Sequence, residues 1–155
     1  NRAKQKIRQI GMVLFVLYVL LLIYFLFFSE GYGRIAEEER IYRYNLKPFV
    51  EIRRFWMYRE QVGLSAFFMN IFGNVIGFIP LGFILPVISR RCRSGFLIVL
   101  SGFSLRLCVE TIQLVTRVGC FDVDDLILNT AGAAAGYVLF AVCNYLRRRH
   151  YGEKI

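Results

Sequence analysis

Charge is scarce in this chain. Asp, Glu, Lys and Arg make up 20% of its 155 residues, against 57% apolar residues. A water-soluble domain of this length covers a modest core with polar side chains, and too few are present for that. The shortage excludes a soluble enzyme, and the 15 Phe and 9 Tyr exclude a disordered chain. Histidine is limited to His150, in a basic tail, and the four cysteines show no C-x-x-C spacing. A zinc site is not expected from these residues, nor any other metal or cofactor. Only Cys120 falls in an outward loop; Cys92 lies on the inner side and Cys108 and Cys143 in apolar runs, which argues against a secreted disulfide scaffold. The net charge of +9 would suit nucleic acid, but the basic residues sit at the ends of long apolar runs. That is a membrane pattern, and no nucleic-acid partner is expected.

What is present is a series of spans. Residues 10–28 are uncharged and follow Arg2, Lys4, Lys6 and Arg8. As a helix they measure about 28 Å, close to the hydrocarbon thickness. A signal peptide would end in small residues at a cleavage site; this run ends in Phe27-Phe28-Ser29-Glu30, so a retained span is expected. Residues 66–88 form a second run containing Gly73, Gly77, Pro80, Gly82 and Pro86, tolerated where neighbouring helices satisfy the freed backbone groups. Residues 96–118 read as a third span with a polar stripe, and 125–146 as a fourth. The expected fold is all-α: one polytopic membrane domain over 1–155, with four spans and an outer loop at 29–65.

Orientation follows the basic residues. With both termini in the cytoplasm, the inner side holds eleven basic residues (among them Arg90, Arg91, Arg93 and Arg147) against one acid, Glu153. The loop 29–65 is nearly balanced, with seven basic and six acidic residues. Within it Phe49, Ile52, Phe55, Trp56 and Tyr58 are interleaved with Glu51, Arg53, Arg54 and Arg59. This reads as an amphipathic segment at the membrane surface, acting as an anchor or, more sharply, as a lid over an outward pocket.

Polar residues inside spans carry the functional signal. Arg106, Glu110, Gln113 and Arg117 fall on one helix face. A charge in the membrane costs roughly 2.5–3.5 kcal/mol on the insertion scale unless paired or facing a cavity. A structural Arg106–Glu110 pair is one reading, a functional site the other. On the second span Asn70 and Asn74 are i, i+4, and Asn129 lies near the outer end of the fourth. These residues share the outer half of the bundle and predict a polar cavity open to the outside. Asp122, Asp124 and Asp125 complete its rim. They are expected to cap the fourth span, through Asp124 or Asp125, and to pair Asp122 with Arg117, a hard-cation site being the alternative. Gly73 with Gly77, and Gly132 with Gly136, predict close packing between spans two and four, drawing Asn74 toward Asn129.

Three blocks then resemble a known family. Asn45-Leu46-Lys47-Pro48-Phe49 is similar to its N-L-x-P-F element. Asn70, Gly73, Asn74, Phe78, Pro80, Gly82 and Pro86 match its N-x-x-G-N-x-x-x-F-x-P-x-G-x-x-x-P block. Glu110-Thr-Ile-Gln113, Arg117, Asp122-Val-Asp124-Asp125 and Asn129-Thr-Ala-Gly132 resemble the next. The chain is identified on these as similar to the VanZ-like family. The resemblance implies a small multi-pass protein of the bacterial cytoplasmic membrane, associated with resistance to the glycopeptide teicoplanin, and it supplies no reaction. Its motif residues, Asn70, Asn74, Glu110, Gln113, Arg117, Asp122, Asp124, Asp125 and Asn129, are the candidate ligand-binding set. The implied partners are membrane lipid and a lipidated or lipid-linked envelope molecule. Two alternatives remain open at this point: an enzyme acting on a lipid-linked precursor, with Glu110 as acid or base beside Arg117 and Asp122, or a small transporter or flippase. The sequence leaves the oligomeric state open.

Overall fold

The computed structural model describes residues 2–27, 43–117 and 119–152. Four long helices dominate it: α1 (Arg2–Phe27), α4 (Leu64–Ile88), α5 (Gly95–Thr116) and α6 (Val123–Tyr151). Each is long and apolar enough to cross a membrane. Between α1 and α4 come a short strand β1 (Arg43–Asn45), an amphipathic helix α2 (Val50–Met57) and one helical turn, α3 (Arg59–Val62). A second strand, β2 (Cys120–Asp122), leads into α6 and pairs with β1 in parallel, with Tyr44 opposite Phe121 and Asn45 opposite Asp122. This two-stranded pair is an addition to the all-α expectation. Residues 29–42 of the expected outer loop lie outside the described residues, as do position 28 at the end of the first expected span and position 118 at the end of the third.

The four spans alternate in direction. The ends of α1, α4 and α6 that carry Lys4, Arg8, Arg90, Arg91, Arg93 and Arg147 therefore meet at one end of the bundle, the basic end. The opposite end carries the strand pair, α2 and α3. The molecule is apolar outside and carries a polar cluster within an otherwise apolar interior: Arg106, Glu110, Gln113, Asp124 and Asn129 are buried, while Met69, Phe96 and Val115 are among the most exposed side chains. A water-soluble fold has the reverse arrangement; hydrocarbon around the bundle accounts for this one.

The tightest contact is α4 on α6. A Cβ on Gly132 would overlap the Val75 carbonyl, one on Gly136 the Ile79 carbonyl, and one on Gly82 the Ala133 carbonyl. The two backbones thus meet over about two turns, as small residues allow. The expectation for Gly73 and Gly77 is corrected here: nothing lies within 4 Å of a Cβ at either position. Val75, Ile79 and Gly82 form the stripe that faces α6, and Gly73 and Gly77 are off it. The Gly77 carbonyl instead accepts the Tyr18 hydroxyl of α1 at 2.8 Å. Phe78, Leu81, Ile98 and Ala133 form the core, flanked by Phe15, Tyr18 and Leu22. Pro80 and Pro86 both lie inside α4, which remains one helix through them.

The amphipathic segment folds as α2, with Gly63 at φ 92 breaking α3 from α4. L side chains rarely adopt that conformation. Trp56 packs on Phe67 with ring centroids 5.9 Å apart, and the Arg59 guanidinium lies over the Trp56 ring at 5.2 Å. Phe49, Trp56, Met57 and Tyr58 remain exposed.

Candidate functional site

Arg106 is the centre of the polar interior. It projects from α5 and is 2% exposed. One helical turn on, Glu110 forms an ion pair with its Nη2 through Oε1, as i, i+4 spacing allows. The contact is one of charge and proximity, without hydrogen-bond alignment. The same Nη2 donates to Asp125 Oδ2 at 2.6 Å, from the first turn of α6. Asn74 of α4 closes the arrangement by donating from Nδ2 to Asp125 Oδ1 at 2.9 Å. Three spans thus converge on one guanidinium flanked by two carboxylates. A buried charge persists only with such partners, since loss of one leaves another stranded.

The other oxygen of Glu110, Oε2, accepts the backbone N–H of Asp122 at 3.0 Å, tying α5 to β2. The three aspartates then diverge. Asp122 is the N-cap of α6, its Oδ1 accepting from the Asp124 N–H at 2.9 Å and from Asn45 Nδ2 of β1 at 3.3 Å. Asp124, 1% exposed, points away from its own helix to α2. It accepts the backbone N–H groups of Phe49 at 2.5 Å, Glu51 at 2.8 Å and Ile52 at 3.0 Å. Those are orphan donors of a helix start, where a carboxylate is favoured. Phe49 is held there at φ 65, a left-handed conformation uncommon for a bulky residue.

This corrects the expected roles. The cap of α6 is Asp122 and not Asp124 or Asp125, because the helix begins at Val123 and the capping side chain precedes the first helical residue. The Asp122 side chain is occupied by Asn45 and the Asp124 N–H, while Arg117 sits exposed as the left-handed C-cap of α5 at φ 57. The hard-cation alternative loses its geometry, since the three carboxylates serve three different elements. Among the described residues no group of three or more His, Cys, Asp or Glu side chains is arranged to hold a metal ion. Burial pushes the Asp122 carboxyl up to about 6; the Asp124 N–H opposes this, and the carboxylates of Asp125, Asp124 and Glu51 add to it.

Of the other expected site residues, Gln113 is 2% exposed and donates from Nε2 to the Leu26 carbonyl at 2.8 Å, fastening α1 to α5. Asn70 is exposed and turned back on its own helix, donating to the Ala66 carbonyl at 3.0 Å, so it does not join Asn74 in the network. Asn129 is 1% exposed, and neither its amide nitrogen nor its oxygen has a hydrogen-bond partner among the described residues. Arg106 Nε and Nη1 and the Thr130 hydroxyl are in the same state. Asn74 reaches Asp125, one turn short of the expected Asn129.

Sequence reasoning placed Arg106 beside Glu110 but left it out of the site, although it is the hub. Its i, i+4 spacing from Glu110 within a span is the local signal that includes it. Asn45 was noticed only as part of a motif, and its bond to Asp122 depends on the strand pair, which three-residue strands do not announce.

Comparison with known proteins places the chain in a family. The VanZ/LLP1 family profile matches residues 15–144. Protein VanZ of Enterococcus faecium is 29% identical over 150 residues, an alignment that covers 91% of this chain and 77% of that protein. No solved structure matches.

Proposed function

Because the chain belongs to the VanZ/LLP1 family, we propose that it acts in a bacterial cytoplasmic membrane and reduces the effect of a lipidated glycopeptide of the teicoplanin type by binding it at the outer face. The basic end faces the cytoplasm in this reading, as the positive-inside rule requires, and residues 1–155 act as one membrane domain. The aromatic shelf of α2, with Phe49, Trp56, Met57 and Tyr58 exposed, then lies at the outer interface, where such residues anchor. It offers apolar surface to an acyl chain. Arg117 and Asn70, both exposed at this end, meet the polar part of the ligand, while Asn129, buried behind them, does not reach it. Asn74, Glu110, Gln113, Asp122, Asp124 and Asp125 hold the frame. A lipid-linked envelope precursor has the same two-part chemistry and is the natural competitor.

The observation that carries this reading is the Asp124 carboxylate on three N–H groups at the start of α2. It joins the surface shelf to α6 and, through its own N–H on Asp122 and the Asp122 N–H on Glu110, to the buried network. Binding is favoured over catalysis because Glu110 is fully buried, with one oxygen against Arg106 and the other on the Asp122 N–H. A general base has to reach its substrate's proton. The test is expression of the chain in a susceptible host, with growth inhibition measured for a glycopeptide carrying an acyl chain and for an analogue lacking it. Protection against the acylated drug alone, lost in a Trp56→Ala, Tyr58→Ala variant that still reaches the membrane, is the expected result. Equal protection against both drugs, or none, overturns it.

A further inference from the structure

At the basic end, far from the network, four segments of the chain close around a cavity of about 760 Å³, within the size range of small-molecule sites. Its walls carry Lys4 and Arg8 from α1, Arg90, Arg91 and Arg93 from the turn after α4, and Arg147 from α6; among the described residues no acidic side chain lines it. Its floor is apolar, formed by side chains of α1 and the end of α4. The positive-inside rule asks only that basic residues lie near span ends. It does not ask that six of them, from separate segments, face one concavity, where like charges repel.

One member is already oriented. Arg93 Nε donates to the Pro86 carbonyl at 3.2 Å, its guanidinium lies over the Phe140 ring at 6.0 Å, and its own carbonyl accepts the Tyr137 hydroxyl at 2.8 Å. These contacts fix the fork while leaving its Nη groups for another acceptor. Burial, and after it the neighbouring Arg90 charge, push the Arg93 pKa down.

We infer that this cavity binds a phosphate-bearing anion, presented as the headgroup of an anionic membrane lipid whose acyl chains run along the apolar face of α1. The cationic ring suits a phosphodiester, and basic pockets between spans are known hosts for such headgroups. Ile10, Val13 and Leu17 of α1, all well exposed, continue the apolar floor into the hydrocarbon.

The experiment is native mass spectrometry of the full chain released from nanodiscs of mixed phosphatidylglycerol and phosphatidylcholine, with thermal unfolding of the same samples. Wild type should retain phosphatidylglycerol selectively. Arg90→Gln, Arg93→Gln, Arg147→Gln should lose that selectivity. A control with equal charge loss outside the cavity, Lys6→Gln, Arg148→Gln, Arg149→Gln, should keep it. Inorganic phosphate in detergent should neither stabilise the protein as the lipid does nor displace it. Equal loss in both triple variants would mean a general charge effect and overturn the site. Full reproduction by inorganic phosphate would overturn the lipid as its source, and unchanged retention in the cavity variant would overturn the proposal outright. A cavity variant that does not fold is replaced by Arg90→Gln, Arg147→Gln, which leaves the Arg93 contacts intact and should also lose selectivity.

Discussion

Arg106 and Asp125 are joined by a 2.6 Å bond between consecutive long helices, and Glu110 shares the same guanidinium nitrogen. The cation has two anionic partners, so the three groups are not interchangeable. Arg106→Leu strands the buried Glu110 carboxylate and leaves the half-buried Asp125 without its cation, and should cost about 3–5 kcal/mol. Glu110→Gln should cost clearly less, because Asp125 still faces Arg106 and the glutamine oxygen still accepts the Asp122 N–H. Combining Arg106→Leu with Glu110→Gln and Asp125→Asn should recover much of the loss. Thermal unfolding in detergent orders the variants; equal damage from Arg106→Leu and Glu110→Gln would contradict a shared hub.

Asp124→Ala removes the acceptor for three N–H groups of α2. Loss of such a cap costs about 0.5–2 kcal/mol. The effect should be local: faster amide exchange over residues 49–57, with α4 and α6 protected as before. Unchanged exchange at Glu51 and Ile52 would show that the carboxylate does not hold the helix.

Gly132→Leu and Gly136→Leu should disrupt the bundle, because their Cβ positions fall on α4 carbonyls. Overpacking of this kind costs about 1–3 kcal/mol and more where backbone has to move. Gly73→Leu has open space around it and should leave the unfolding temperature close to wild type. Expression and melting of the three variants decide the matter, and a damaged Gly73→Leu protein would mean that this face meets a partner.

The Asp122 carboxyl holds its proton up to about pH 6 in the folded protein, against an ordinary value of 3.8. The folded state therefore binds a proton that the unfolded state has released between these values. Asp122 contributes a stability that falls as pH rises across this window and is constant above it. Asp122→Asn keeps an oxygen for the cap and abolishes the titration. The melting temperature of wild type relative to the variant should drop between pH 4 and 6 and level off by pH 7; parallel curves would assign the titration elsewhere.

With the basic end in the cytoplasm, a membrane-impermeant thiol reagent added to intact cells should modify Cys120 and spare Cys92. Labelling of Cys92 under those conditions would reverse the orientation.

The spans were legible because hydrocarbon thickness fixes their length and because charge is excluded from them; 66–88 and 125–146 fall within α4 and α6 with little error. The Arg106–Glu110 pair was legible for a similar reason, since i, i+4 spacing is local. What crosses between helices was harder. Both Gly73 and Gly82 lie on α4, and which of them meets α6 depends on helix rotation, which a G-x-x-x-G pattern does not encode. Asp124 looked like a cap for the helix it begins, yet its partner, Phe49, is 75 residues away. The polar face was read as an open cavity, while Glu110, Gln113 and Asn129 pack out of reach of solvent; depth in the membrane says how far a side chain is from the interface, not whether a neighbour covers it.

The same separation bears on how the protein is made. On the ribosome α2 emerges well before Asp124 does, so its first N–H groups are without their acceptor while α4 and α5 enter the membrane. Arg106 likewise waits for Asp125, and the Asp122 N–H that Glu110 accepts arrives no sooner. Insertion of α6 therefore supplies partners to three earlier segments together, and a nascent chain stalled before it carries an unshielded arginine–glutamate pair and a loosened surface helix.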